Sequence, residues 1–313
     1  MSTAWREAPE RGTAGGMALM ARLTLGLGRG ATRCILLPLC LYYYAAAPQV
    51  RRASRAFLAR ALGREPGARD VLRHFHSYAS TLHDRMLLAA GRSEAFDIAV
   101  SGADKIDRML AFGRGCLLVG SHLGSFEVLR ALERTSVYRV SVVMHEANAR
   151  RMQALFSRLA PGLQQRVIAS GRPDTMLRIK ECLERGEIVG ILGDRPLSEE
   201  RTASRDFLGA PARFPLGPWL LAAVLGCPVG LFFGLYRGGA RYEIELERVS
   251  DGELVPRETR EAAATSQLER YVARLEHHAR RAPYNWFNFY DFWHRPVDAR
   301  VAVGESVAGR SLA

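Results

Sequence analysis

His122 and Glu127 stand five residues apart in the stretch GCLLVGSHLGSFEVLRAL, residues 115–132. An imidazole beside a carboxylate is equipped to take a proton from a hydroxyl. The acid fixes the ring tautomer and stabilises the imidazolium, and the outward nitrogen accepts the proton. General-base help of this kind is worth about 10²–10⁴ in rate. Cys116–Val119 reads as a buried strand, and Gly124 and Ser125 permit a turn into a helix beginning near Phe126. His122 then falls at the carboxyl end of a strand, where open parallel sheets place their binding crevices. A turn at Gly124 would fold the Glu127 carboxylate back onto the imidazole. Exposed amides at Gly124 and Ser125 would steady a developing oxyanion, because helix N-termini favour negative charge.

Asp194 and Arg195 close a second apolar run, Ile188–Gly193. If the two strands are parallel, both residues share the edge that carries His122. Arg195 has the planar fork for a phosphate or carbonyl oxygen; the plainer alternative is that the two pair with each other or cap a loop. Arg205, Arg213 and Phe214 follow and are candidates to line the mouth. Other arrangements fail on context. No G-x-S-x-G occurs in a strand-to-helix setting, and GLGRGA at 26–31 follows no strand. His277 and His278 are adjacent on a helix and point apart, a poor metal pair best read as solvated. His145 with Glu146 reads as a surface loop. Neither a metal nor a redox cofactor is implied.

These residues need a sheet to hold them. Short apolar runs predict strands at 96–101, 115–120, 137–143, 166–170 and 187–193. Helical stretches at 103–112, 124–134, 147–160 and 174–185 alternate with them. Strands at 228–236 and 241–248 follow a helix at 217–225, with Gly238-Gly239 as a hairpin turn. A long helix at 258–281 precedes the aromatic segment Tyr284–Trp293, which is expected to pack in the core, over a substrate channel or into a bilayer interface. The pattern implies an α/β fold with a mostly parallel mixed sheet and helices on both faces. Upstream, residues 67–91 read as an amphipathic helix whose histidines, His74, His76 and His83, serve packing or the helix surface.

The 313 residues divide into a disordered N-terminus (1–16), a hydrophobic helical anchor (17–66), a catalytic domain (67–295) and a disordered tail (296–313). The uncharged stretch Cys34–Ala47 is shorter than the ~20 residues that cross a bilayer. Its tyrosines, Tyr42 to Tyr44, and the following Arg51, Arg52 and Arg55 suit the headgroup level, so the segment is expected to span or lie on a membrane, with a buried core helix as the alternative. The formal net charge is +12, and Lys105 and Lys180 are the only lysines. Scattered arginine without a finger, RRM or zipper pattern argues against nucleic acid and for an anionic surface or carrier. Five cysteines without a C-x-x-C pair argue against a disulfide framework or structural zinc.

The segment GSHLGSFE resembles the first motif of the lipid A biosynthesis (late) acyltransferases, a branch of the lysophospholipid acyltransferase superfamily with its H-x-x-x-x-D/E signature. GRPDTMLRIKECLERGEIVGILGDR (171–195) is similar to that branch's middle region. PLG (215–217) matches its turn before a helix, and PYNWFNFYDFW (283–293) is similar to the ending of one subgroup. The likeness covers roughly residues 15–295. It implies His122 as base and Glu127 as its partner, with substrate contacts near Gly124, Ser125, Asp194 and Arg195. It also implies an acyl-carrier-protein or acyl-CoA thioester donor and a hydroxyl of a membrane lipid or glycolipid as acceptor. The bacterial inner membrane, with the domain facing the cytoplasm, is the matching location. Ser125-Phe126 stand where the family usually has Asn-Trp, which bears on the acceptor. Two other readings remain at this point: a non-catalytic lipid-binding protein of the same fold, and a membrane thioesterase using water.

Overall fold

Strand β2, Cys116–Gly120, is buried along its whole length. A strand covered on one face alternates; one covered on both reads as a continuous apolar run. Leu117 and Val119 enter one core with Val189, Leu231 and Phe233, whereas Cys116 and Leu118 enter a second with Ile188, Phe232 and Ile244. Helices therefore cover both faces of the sheet. The computed structural model describes residues 14–111, 113–129, 138–145, 166–196 and 201–293.

Seven strands form the main sheet: β1 (Asp97–Ser101), β2, β3 (Val140–His145), β4 (Val167–Ser170), β5 (Ile188–Leu192), β8 (Val229–Tyr236) and β9 (Arg241–Ser250), in spatial order β1-β9-β8-β2-β5-β3-β4. Every neighbouring pair is parallel except the β8–β9 hairpin. The expected mixed, mostly parallel sheet is present. A second sheet, β6 (Thr202–Phe207) paired antiparallel with β7 (Ala210–Pro215), was not anticipated. Its polar and proline-containing sequence carries little apolar alternation, so periodicity gives it no signal.

Among the described residues the α-helices are α1 (Ala14–Arg33), α2 (Leu36–Ala46), α3 (Pro48–Leu62), α4 (Ala68–Ala89), α5 (Ala103–Leu110), α6 (Thr175–Glu184), α7 (Gly217–Leu225) and α8 (Arg260–Arg281). α1 kinks at Gly28, where φ is 83°. The helix expected from Phe126 does not start there. Phe126 to Val128 form bends and turns, and residues 130–137 lie outside the described residues. The helix expected at 147–160, Glu146, residues 1–13 and the tail from 294 also lie outside them.

The N-terminal helices are not a separate stalk. Phe57 and Leu58 of α3 are fully buried in the same core as β2. Asp84 of α4 is fully buried and accepts hydrogen bonds from Arg29 (2.7 and 2.9 Å) and from the Tyr242 hydroxyl (2.9 Å). That binds α1, α4 and β9 together, and removing one partner of such a buried pair costs about 3–5 kcal/mol. Arg33 reaches the Tyr236 hydroxyl (2.7 Å) at the end of β8. Tyr236 lies at the carboxyl end of β8, which runs parallel to β2, so Arg33 ties the end of α1 to the edge that carries His122. No helix among the described residues is long and apolar enough to cross a membrane.

Candidate active site

Parallel pairing of β2 and β5 brings the site together. The register aligns Cys116 with Ile188 and Gly120 with Leu192. Carried two residues past both strands, it aligns His122 with Asp194. The Gly193 N–H donates to the Gly120 carbonyl at 2.9 Å and holds the chains in step beyond the strands. Asp194 Oδ1 lies 2.8 Å from His122 Nδ1, and Oδ2 accepts the His122 backbone N–H at 3.0 Å.

A carboxylate only accepts, so Nδ1 carries the hydrogen and the basic lone pair sits on Nε2. Nε2 makes no hydrogen bond among the described residues, and the imidazole side chain keeps 28% of its exposure, while Asp194 has none. Burial pushes the imidazole below its ordinary pKa, and the Arg195 guanidinium pushes it the same way; Asp194 opposes both. Burial alone would raise the Asp194 carboxyl, but the charge and hydrogen bonds of His122 and the charge of Arg195 outweigh it and hold the group well below the usual carboxylate range. The result is a neutral ring at neutral pH with an oriented, accessible lone pair.

Glu127 is not the acid at the ring nitrogen. Its Oε1 pairs with Arg85 Nε of α4 at 2.5 Å, and its Oε2 accepts the Ser125 hydroxyl at 3.2 Å. Its charge still reaches the imidazole and favours protonation. The expected fold-back fails because no helix starts at Phe126 and the turn leads Glu127 toward α4. The amides at Gly124 and Ser125 are not available either. Gly124 N–H donates to the Asn285 carbonyl (2.7 Å) and Ser125 N–H to the Gly234 carbonyl (2.8 Å). Gly124 has φ +75°, and a Cβ there would stand 1.9 Å from the Gly234 oxygen, so only glycine fits. The expected oxyanion amides are spent on the backbone.

Asp194 and Arg195 do share the edge with His122, as a parallel sheet requires. Arg195 donates through Nε to Asn288 Oδ1 and through Nη2 to the Phe287 carbonyl at 2.9 Å. The aromatic segment supplies further contacts that sequence reasoning missed: Trp286 Nε1 and Asn288 Nδ2 each donate to Asp194 Oδ2 at 3.1 Å. The available signal was the pair of asparagines, Asn285 and Asn288, inside an aromatic run, since buried amides require partners. Trp286, Phe287 and Phe292 are buried, so the segment packs in the core. Arg205 and Arg213 sit on the β6–β7 hairpin; Arg205 pairs with Glu269 at 3.1 Å.

His278 is buried rather than solvated, because it lies on the inner face of α8. Donor atoms of Glu245, Glu247 and His278 fall within 4.8 Å of one another, a spacing a metal ion could bridge. Arg274 already binds both Glu247 oxygens (2.6 and 2.8 Å), and Arg281 pairs with Glu245. The carboxylates are thus neutralised by guanidinium groups.

A comparison with curated proteins returns no match. A comparison with protein-family models matches residues 45–295 to the bacterial lipid A biosynthesis acyltransferases. That span holds every strand of the described residues and the whole His122 site, and it is most of the chain: the chain belongs to the bacterial lipid A biosynthesis acyltransferase family.

Proposed function

We propose that the protein transfers a fatty acyl group from an acyl-carrier-protein or acyl-CoA thioester to a hydroxyl of a membrane lipid or glycolipid. The carrying observation is the 2.8 Å contact of His122 Nδ1 with Asp194, which leaves Nε2 open at the sheet edge. Nε2 removes the proton as the alcohol oxygen attacks the thioester carbonyl. The tetrahedral oxyanion collapses, the carbon–sulfur bond breaks, and the thiolate takes the proton back from the imidazolium. Asp194 stabilises the imidazolium throughout. With the Gly124 and Ser125 amides engaged, Arg195 is the cation beside His122 that can offset the oxyanion's charge.

We place the protein on the cytoplasmic face of the bacterial inner membrane, held by α2 and α3. α2 carries no charge, and Ile35 before it and Leu37, Leu39, Leu41 and Tyr42 within it are all exposed. α3 has four arginines and no acid; it buries Ala53, Phe57 and Leu58 and turns Arg52 and Arg55 to solvent. An exposed apolar helix followed by a basic one suits an anionic bilayer surface.

Mass spectrometry of total lipid from cells with and without the gene tests the reading. A lipid short of one acyl chain in the deletion strain supports it and names the acceptor. Unchanged lipids with altered free fatty acid would support hydrolysis instead.

A further inference from the structure

We infer that Trp286 and Asn288 are positioning residues that set the geometry and basicity of His122 through Asp194; the inference builds on the proposed acyl transfer. Three N–H groups converge on Asp194 Oδ2: the His122 amide at 3.0 Å, Trp286 Nε1 at 3.1 Å and Asn288 Nδ2 at 3.1 Å. A carboxylate oxygen with three donors has no capacity for the ring. Oδ1 is left as the acceptor for Nδ1. The carboxylate is thereby fixed in rotation, and the imidazole is fixed with it.

Asn288 does this with both ends of its amide. Nδ2 donates to Asp194 and Oδ1 accepts from Arg195 Nε, so one side chain spaces the buried acid from the cation. The backbone around it is laid against the catalytic loop. Phe287 N–H donates to the His122 carbonyl at 2.8 Å, and Leu123 and Trp286 form an antiparallel bridge. Behind, the Trp286 ring is enclosed by Phe57, Phe207 and Phe292 at centroid distances of 4.9, 5.1 and 4.7 Å. His74 secures the Trp286 carbonyl at 3.0 Å. A segment from the far end of the chain is therefore built into the catalytic pair.

Each donated N–H spreads the negative charge of Asp194 and weakens its hold on the imidazolium. Removing one raises the His122 pKa. Among the described residues, the other charged or titratable groups that act on the pair are Arg195, Glu127, Tyr271 and Tyr290. None of them is altered in the variants below.

The test is ¹⁵N NMR of histidine-labelled full-length protein, with the His122 signals identified by their loss in His122→Gln. Trp286→Phe keeps an aromatic ring and removes one donor. Its His122 midpoint should rise by about 0.5 pH unit, a roughly three-fold change in proton affinity. Asn288→Asp replaces a donor by a charge and should raise it further. In acyl-transfer assays kcat should fall about tenfold in Trp286→Phe while KM for the thioester stays unchanged. Trp286→Phe is the variant expected to stay folded if Asn288→Asp does not. An unmoved midpoint in folded Trp286→Phe overturns the inference. Moved midpoints in a protein whose wild type transfers no acyl group would uphold the clamp and sink the proposed activity instead.

Discussion

Asp194 holds His122 at two points: Oδ1 lies 2.8 Å from the ring Nδ1, and Oδ2 accepts the backbone N–H of the same residue at 3.0 Å. Main chain and side chain of His122 are oriented by one buried carboxylate. The acid in the H-x-x-x-x-E segment, Glu127, is engaged by Arg85 and Ser125 instead.

Asp194→Asn should therefore cost more activity than Glu127→Gln. The amide cannot stabilise the imidazolium and allows the wrong tautomer, which costs about 10³–10⁴ in kcat. Glu127→Gln removes a charge that acts on the ring at longer range, and its loss should stay within roughly 10². Steady-state kinetics on both purified variants decide the order; equal losses would mean that Glu127 moves to the ring when substrate binds.

The pH profile follows from the electrostatics. A general base works when neutral, so activity falls as pH drops through the His122 pKa. Burial and Arg195 lower that pKa from its ordinary value. The acidic limb of kcat/KM should lie below about pH 6.5. Arg195→Gln removes a cation and should shift the limb upward, in addition to any loss of oxyanion stabilisation. A limb that stays in place would show that the titration belongs to another group.

His74 makes a stability prediction. It is fully buried, and burial pushes its pKa down to about 4. Nε2 faces the Trp286 carbonyl at 3.0 Å, an acceptor, so it carries the hydrogen, and Nδ1 accepts from the Ser54 hydroxyl at 2.9 Å. The folded value lies below the unfolded one, so the unfolded chain binds more protons between them. Stability is intact above about pH 6.5 and is lost as pH falls toward 4, at about 1.4 kcal/mol per pH unit. Between pH 7 and 5 this single residue accounts for about 2 kcal/mol. Urea unfolding of His74→Gln should show a correspondingly smaller acid loss than the wild type.

Much of this was legible in the chain, for identifiable reasons. Strands β2, β3, β5, β8 and β9 announce themselves because their runs are buried on one or both faces. Placing His122 at a strand end needed only the step from Cys116–Val119 to Gly124. The partner of His122 was not legible, because it depends on which strand lies beside β2. β5 does so although β3 and β4 intervene in sequence, and nothing in periodicity encodes that order. The fate of the Gly124 and Ser125 amides was hidden for the same reason, since their acceptors belong to Asn285 and Gly234.

The exposed face of α2 predicts how the protein reaches lipid. Leu37→Glu with Leu41→Glu should lower binding to phosphatidylglycerol vesicles by about tenfold per residue, given about 1.5 kcal/mol for each leucine withdrawn from the interface. Arg52→Glu with Arg55→Glu should remove the preference for anionic over neutral vesicles and its salt sensitivity. Vesicle co-sedimentation reads both. Undiminished binding by the leucine variant would move the contact elsewhere on the molecule.

The most direct measurement is a single-turnover reaction of purified protein with a radiolabelled acyl-carrier-protein thioester and a lipid acceptor in vesicles, comparing wild type with His122→Ala. Labelled lipid ester should form with the wild type. It should appear at least about 10³-fold more slowly with a folded His122→Ala protein. Ester formation at the wild-type rate by that variant would contradict the assignment of His122 as the base.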